Sequence, residues 1–296
     1  MKREDLPEEE GQATNDYKRP PFVVIFTDLD GTLLDHDTYG WEEAKPALDV
    51  CEKRHFPVVL VSSKTRAEIV HLQECLGISA PFIAENGGGI FFPERHLNLN
   101  KAPPDAEPVD HLWRVSLGIP YREVVKGLEE IRAQLGWNMR GFSQMTVEEI
   151  ARHTGLDLEA SSRAAMREYD EPFLILEKKE INLNRLNEAA RGKGLRVTCG
   201  GRFYHLHGEF DKGLAVRRVE SWYRTYHEEI ITVALGDSPN DLDMLESVDF
   251  PVLVSSSSRH KIFEKTVKDL LITEEPGPKG WNRAVLDILC NKLKGG

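Results

Sequence analysis

The stretch "FVVIFTDLDGT", Phe22 to Thr32, limits what this chain can fold into more than any other. Its apolar opening predicts a buried strand that drives straight into two carboxylates, Asp28 and Asp30, one residue apart. Like charges that close repel each other. They also lose hydration at the mouth of a core, which raises the free energy of both anions. A fold tolerates that placement most readily when something cationic sits between them.

The same strand-then-polar pattern returns along the chain. "PVVLVSS" (57–63), "FIA" (82–84) and "IITVAL" (230–235) read as strands. Between them lie helical spacings. "WEEAKPALDVCEKRH" carries Pro46 in its first turn. "KTRAEIVHLQECLG" puts Ile69, Leu72 and Leu76 on one face, with Gly77 as the stop. "DKGLAVRRVESWYRTY" and "DLDMLESV" follow near the C-terminus, and a last helix starts about Trp281. Strands separated by helices imply parallel βαβ units, so the expected class is α/β with a Rossmann-like parallel-sheet core.

The middle breaks that pattern. A loop rich in Pro, Asn and Asp (93–110) leads to a strand-like "LWRVSLG" and a helix "YREVVKGLEEIRAQLG" with Val125, Leu128, Ile131 and Leu135 in register. "FLILE", a helix near Leu183 to Ala190, and two β-like arms around Gly200-Gly201 complete it, the glycine pair predicting a tight hairpin. These elements predict an inserted α+β domain of its own, packed over the first. The expected division is a disordered tail over 1–21, core over 22–93, insert over 94–205 and core again over 206–296.

With 38 basic and 49 acidic residues the net charge is −11, which argues against nucleic acid or an anionic membrane as the bulk partner. Cys51, Cys75, Cys199 and Cys290 show no CxxC pair, the usage expected of reduced thiols in a cytoplasmic protein. The opening "MKREDLPEEEGQATNDYKRPP" has no signal-peptide core, and no apolar run approaches membrane-spanning length.

In open parallel sheets ligands sit beyond the carboxyl ends of the strands. Here those ends carry Thr27-Asp28-Leu29-Asp30, then Ser62-Ser63-Lys64, then Glu85-Asn86-Gly87, then "GDSPND" with Asp237, Asn240 and Asp241. Three carboxylates with room for water suit a hard cation such as Mg²⁺, which keeps water and phosphate oxygens in its octahedron. The cation relieves the repulsion at Asp28 and Asp30. An aspartate ionised at neutral pH attacks phosphorus without a general base once the phosphate charge is neutralised. A second aspartate two residues on can protonate the leaving oxygen and then deprotonate water. Ser62 can hydrogen-bond the transferred group, and Lys212 in "DKG" can supply fixed positive charge. Ser63, Lys64, Asn86, Gly87, Asn240 and Asp241 lie at the same strand ends and are candidate substrate contacts.

"DLDGT", the strand-terminal Ser62, "DKG" and "GDSPND", in that order, resemble the four motifs of the haloacid dehalogenase superfamily. The resemblance implies Asp28 as nucleophile, Asp30 as acid/base, and Ser62 and Lys212 as stabilisers of the phosphoryl group. It implies Mg²⁺ held by Asp28, the backbone carbonyl of Asp30, and Asp237. Within that superfamily "VSSKTRAEI", "AENGGGIFFP", "REYDEPF", "GGRFYHLHG", "GDSPNDLDML" and "PGPKGWNRAV" are similar to the mannosyl-3-phosphoglycerate phosphatase family. The implied substrate is a small phosphorylated sugar-glycerate carrying a carboxylate, which favours the bidentate fork of arginine. The insert between the second and third motifs resembles the α+β cap of the superfamily's sugar-phosphate branch; Arg167 and Arg202 are the candidates on it, and each reads equally as a solvated surface residue. The "EPGPKGW" loop (275–281) reads either as an anion site at a helix N-terminus or as a turn.

Other readings remain. "MTVEEIARHTGLDLEASSRAAMRE" (145–168) has a capping box at Thr146 and Glu149 and the outline of a helix-turn-helix. Its acidic residues outnumber its arginines, so DNA phosphates would be repelled and a cap helix pair is the better reading. A sugar phosphomutase, a glucosyl-3-phosphoglycerate phosphatase and a broad-specificity sugar phosphatase share the expected core chemistry.

Overall fold

A computed structural model describes residues 21–96, 101–176, 181–200, 203–256 and 261–292. The first core segment contains strands β1 (Phe22–Thr27), β2 (Val58–Val61), β3 (Phe82–Ala84) and β4 (Gly89–Pro93), with helices α1 (Lys45–Lys53) and α2 (Arg66–Leu76). Strands β5 (Glu107–Val109) and β6 (Leu112–Ser116) follow, then α3 (Tyr121–Leu135) and β7 (Met139–Gly141). Next come α4 (Val147–Thr154), α5 (Leu158–Ala164), β8 (Asp170–Ile175), α6 (Leu183–Arg191), β9 (Arg196–Gly200) and β10 (Phe203–His207). The chain then runs through α7 (Lys212–Arg224), β11 (Ile230–Gly236), α8 (Leu242–Leu245) and β12 (Phe250–Ser255). It finishes with α9 (Lys261–Thr266), β13 (Leu271–Pro276) and α10 (Gly277–Asp287).

One sheet has the order β13-β12-β11-β1-β2-β3-β4-β6-β5, parallel from β13 to β3 and antiparallel beyond. The apolar run of β1 is explained by its place at the middle of this order. Val23 and Ile25 pack on one side with Leu48, Ile69, Trp281 and Val285. Val24 and Phe26 pack on the other with Val216, Val219 and Met244. The two-residue period of a strand therefore feeds two separate cores, one under α1, α2 and α10 and one under α7 and α8. Helix α2 begins with the reciprocal Thr65–Glu68 capping box and stops at Gly77 in the left-handed region, φ 68°, as its sequence predicts.

The second sheet, β7-β8-β10-β9, is antiparallel throughout. The two arms flanking the glycine pair do form a hairpin ladder, with Phe203 opposite Gly200. Helices α3 and α6 cover one face through Leu128, Ile131, Leu186 and Ala190, in one cluster with Phe173 and Leu206 of the sheet. The buried stripe of α3 uses Val124 where Val125 was expected; Val125 is only half-buried.

The "LWRVS" strand differs from expectation in its partner. It opens no cap sheet: it pairs antiparallel with β4 in the large sheet. Val115 is buried beside Phe92 in the core under α7, so its apolar side chains are satisfied there. The 275–281 loop also resolves into structure. Helix α10 begins at Gly277, ahead of the expected start near Trp281, and Trp281 is fully buried. Among the described residues no helix is long and apolar enough to cross a membrane.

Candidate active site

The carboxyl ends of β1, β2, β3 and β11 meet at one rim. Below it, Trp281 Nε1 donates to Thr27 Oγ1 at 3.0 Å, and Thr27 Oγ1 donates to the carbonyl of Asp28 at 2.7 Å. The turn that follows depends on glycine. Gly31 has φ +81°, and a Cβ there would stand 2.7 Å from Asp237 Oδ2, so only a residue without a side chain lets the β1 loop reach the β11 loop. Thr32 Oγ1 donates to Asp237 Oδ1 at 3.4 Å across that approach.

Lys212, the first residue of α7, enters between the carboxylates. Its Nζ donates to Asp28 Oδ1 at 2.6 Å and to Asp241 Oδ1 at 2.7 Å, with the side chain 1% exposed. Burial opposes the ammonium charge, yet Asp241 and Asp28 outweigh it and raise the Lys212 pKa. The position of the helix start depends on Gly87, at the end of β3: a Cβ there would be 2.3 Å from the Asp211 carbonyl oxygen.

Asp28, Asp237 and Asp241 offer carboxylate oxygens that all lie within 4.8 Å of one another. One ammonium faces three carboxylates, a surplus of negative charge that a divalent cation would neutralise. The strain shows in their protonation. Burial and then Asp241 push Asp28 well above the ordinary carboxyl range, and the same two causes push Asp237 up to about 6. Hard oxygen donors around a dehydrated site fit a hard divalent ion. Asp241 is the least available of the three, because Oδ1 accepts from Lys212 and Oδ2 accepts the backbone N–H groups of Asp237 and Ser238.

The other predicted residues take distinct places. Asp30 turns away from the cluster: its Oδ2 accepts from Lys64 Nζ at 2.8 Å, while Oδ1 is buried without a hydrogen-bond partner. Ser62 is buried, and its Oγ accepts the Lys64 backbone N–H at 3.2 Å. Asn86 Nδ2 donates to Asp170 Oδ2 at 3.1 Å, and Asn240 Nδ2 donates to Asn86 Oδ1 at 3.5 Å, which ties both to the rim. Ser63 offers its carbonyl to Arg167.

Arg167 departs from expectation. Its guanidinium donates to the Ser63 carbonyl at 3.1 and 3.2 Å and to the Asp170 carbonyl at 3.1 Å, and it pairs with Asp170 Oδ2 at 3.2 Å. The side chain is 4% exposed, so its donors tie the end of β2 to the start of β8 instead of standing open for a carboxylate ligand. Arg202 lies outside the described residues.

The sequence placed Glu85 on the rim without a role and gave none to Asp170. Glu85, at φ +51°, accepts the backbone N–H groups of Glu168, Tyr169 and Asp170 at 2.8–2.9 Å. Burial pushes it up to about 7, against the pull of Arg167. Asp170 is fully buried, yet His205 and Arg167 hold it down to about 2. Glu85 carried the same mark as Asp28, a carboxylate closing an apolar strand. Asp170 opens its strand inside "REYDEPF", a segment that drew notice for Arg167 and not for this carboxylate.

The pattern of the haloacid dehalogenase-like hydrolase family matches residues 25–115 and 199–265, which contain every rim residue described above. The chain belongs to the haloacid dehalogenase-like hydrolases. A Methanococcoides burtonii protein named glucosyl-3-phosphoglycerate/mannosyl-3-phosphoglycerate phosphatase is 40% identical over 90% of this chain and 97% of its own. A Persephonella marina protein of the same name is 40% identical over 93% and 99%. A Pyrococcus furiosus mannosyl-3-phosphoglycerate phosphatase is 34% identical over 84% and 98%. Two solved structures share the fold. A Thermoplasma acidophilum protein superposes with TM-score 0.65 at 20% identity, covering 92% of this chain and 99% of that one. A B. subtilis haloacid dehalogenase-like hydrolase gives 0.62 at 19% identity, covering 90% and 99%.

Proposed function

We propose that this haloacid dehalogenase-like hydrolase is a Mg²⁺-dependent phosphatase that converts mannosyl-3-phosphoglycerate to mannosylglycerate and phosphate through an aspartyl-phosphate at Asp28. The observation that carries the substrate class is 40% identity to glycosyl-3-phosphoglycerate phosphatases across nine-tenths of the chain. The names of those two relatives pair glucosyl and mannosyl substrates, which favours the glucosyl ester as a second substrate of the same site.

Asp28 and Asp237, with the backbone carbonyl of Asp30, are the groups that would hold Mg²⁺. When bound it supplies positive charge against the carboxylates and the phosphoryl oxygens. Asp28 attacks phosphorus, and the bond to the glycerate C3 oxygen breaks. Asp30 gives that oxygen a proton and then takes one from the water that cleaves the aspartyl-phosphate, restoring the Asp28 carboxylate. Lys64 holds Asp30 Oδ2 and so fixes the orientation of the carboxyl group. Lys212 fixes the Asp28 carboxylate and adds charge beside the phosphoryl group; Asp241 positions Lys212. Ser62 offers its hydroxyl proton to a phosphoryl oxygen.

This reading assigns the strands of the large sheet, β1–β6 and β11–β13, to the core and those of the second sheet, β7–β10, to the cap, which moves the expected boundary at 93/94 to beyond β6. All four cysteines are free, in keeping with reaction in a reducing cytoplasm. The test is release of inorganic phosphate from mannosyl-3-phosphoglycerate, glucosyl-3-phosphoglycerate, 3-phosphoglycerate and mannose 6-phosphate, with Mg²⁺ and with EDTA. The expected result is Mg²⁺-dependent release strongly favouring the glycosyl-phosphoglycerates. Flat release across the panel, or isomerisation without net phosphate, overturns the reading.

A further inference from the structure

We infer that His205, oriented by Asp170 on the core-facing side of the cap sheet, is a specificity-determining residue that hydrogen-bonds a hydroxyl of the substrate's sugar. The inference rests on the substrate reading above and assigns a cap contact within it.

Asp170 opens β8 and His205 lies near it on the neighbouring strand β10. His205 Nδ1 is 2.9 and 3.1 Å from the two Asp170 carboxylate oxygens. An ionised carboxylate only accepts, so Nδ1 donates to it and the contact fixes the plane of the ring. That leaves Nε2 as the nitrogen free of the Asp170 contact. The carboxylate is itself immobile: fully buried, it also accepts from Asn86 Nδ2 and pairs with Arg167. His205 keeps 12% of its side chain accessible where Asp170 keeps none.

The direction is set by the chain of contacts. Asp170 reaches Asn86 at the end of β3, and Asn86 reaches Asn240 in the loop that carries Asp237. The imidazole therefore sits one carboxylate and two amides from the metal-holding loop, on the cap side of the rim. The phosphate must lie at Asp28, so the cap side receives the part of the ester remote from phosphorus. Arg167 is committed to Asp170 and to the Ser63 carbonyl, so it offers no open fork beside His205 to select a carboxylate. A sugar hydroxyl, which donates and accepts, matches one imidazole nitrogen.

Two substitutions separate ligand contact from structural support. In His205→Asn the amide can replace Nδ1 on Asp170 but nothing replaces Nε2. In His205→Gln the amide reaches the Nε2 position. The readout is the ratio of kcat/KM for mannosyl-3-phosphoglycerate to that for p-nitrophenyl phosphate, with Mg²⁺, resolved into KM and kcat. The expected result is a fall of about tenfold in that ratio for His205→Asn, carried by KM, and a smaller fall for His205→Gln. Recovery of the ratio in His205→Asn with loss in His205→Gln assigns the ring to support of Asp170 and overturns the inference. Equal losses on both esters overturn it as well. A wild-type enzyme that does not prefer the glycosyl ester overturns the substrate reading itself, and is seen before any variant is made.

Discussion

At the scale of single residues the site is an electrostatic problem solved in part by Lys212. One buried ammonium compensates Asp28 and Asp241 and leaves Asp237 raised to about 6. A carboxyl whose folded pKa exceeds its unfolded value favours the folded state while protonated. The Asp237 contribution is therefore complete below its ordinary 3.8 and is lost as pH rises through about 6. Glu85 has the same sign and loses its contribution as pH rises through about 7. Mg²⁺ needs ionised ligands, so it reverses the loss at Asp237 and leaves Glu85 unaffected. The expected outcome is that Mg²⁺ raises Tm more at about pH 8 than at about pH 5, measured against matched EDTA samples. An increment independent of pH would mean that the ion binds elsewhere.

At the scale of elements, catalytic geometry depends on how closely α7 approaches the end of β3. Gly87 has φ +106°, and any side chain there meets the Asp211 carbonyl just before Lys212. Gly87→Ala should cost about 1–3 kcal/mol and displace Lys212 from Asp28, lowering kcat by at least about tenfold. Gly77→Ala is the control: also left-handed, at φ +68°, it has no atom within 4 Å of the added methyl. It should destabilise by about 1 kcal/mol in urea unfolding and leave kcat unchanged. Similar kcat values for the two variants would separate α7 placement from turnover.

Across the whole molecule, the parallel core and its rim were legible because each core strand is a short apolar run that stops at a polar cluster. Asp28, Ser62, Asn86 and Asp237 could be placed at strand ends with no coordinates. The membership of β6 was not legible. "LWRVS" has the same composition whether it pairs with β4 or opens a cap sheet, and pairing partner is a long-range property absent from a local pattern. Arg167 failed for a related reason. A lone arginine looks the same in sequence whether it faces a ligand or spans Ser63 and Asp170, and only the join between core and cap decides. Asp170 and His205 become a pair only when β8 lies against β10. What joins these scales is the claim that Asp28 carries the phosphoryl group in turn. Acid quenching of the Mg²⁺-loaded enzyme during turnover of mannosyl-3-phosphoglycerate, followed by peptide mass mapping, tests it most directly. The expected result is a phosphorylated peptide containing Asp28 in the wild type, and neither adduct nor turnover in a folded Asp28→Asn. Turnover retained in Asp28→Asn, or an adduct on another residue, would contradict it.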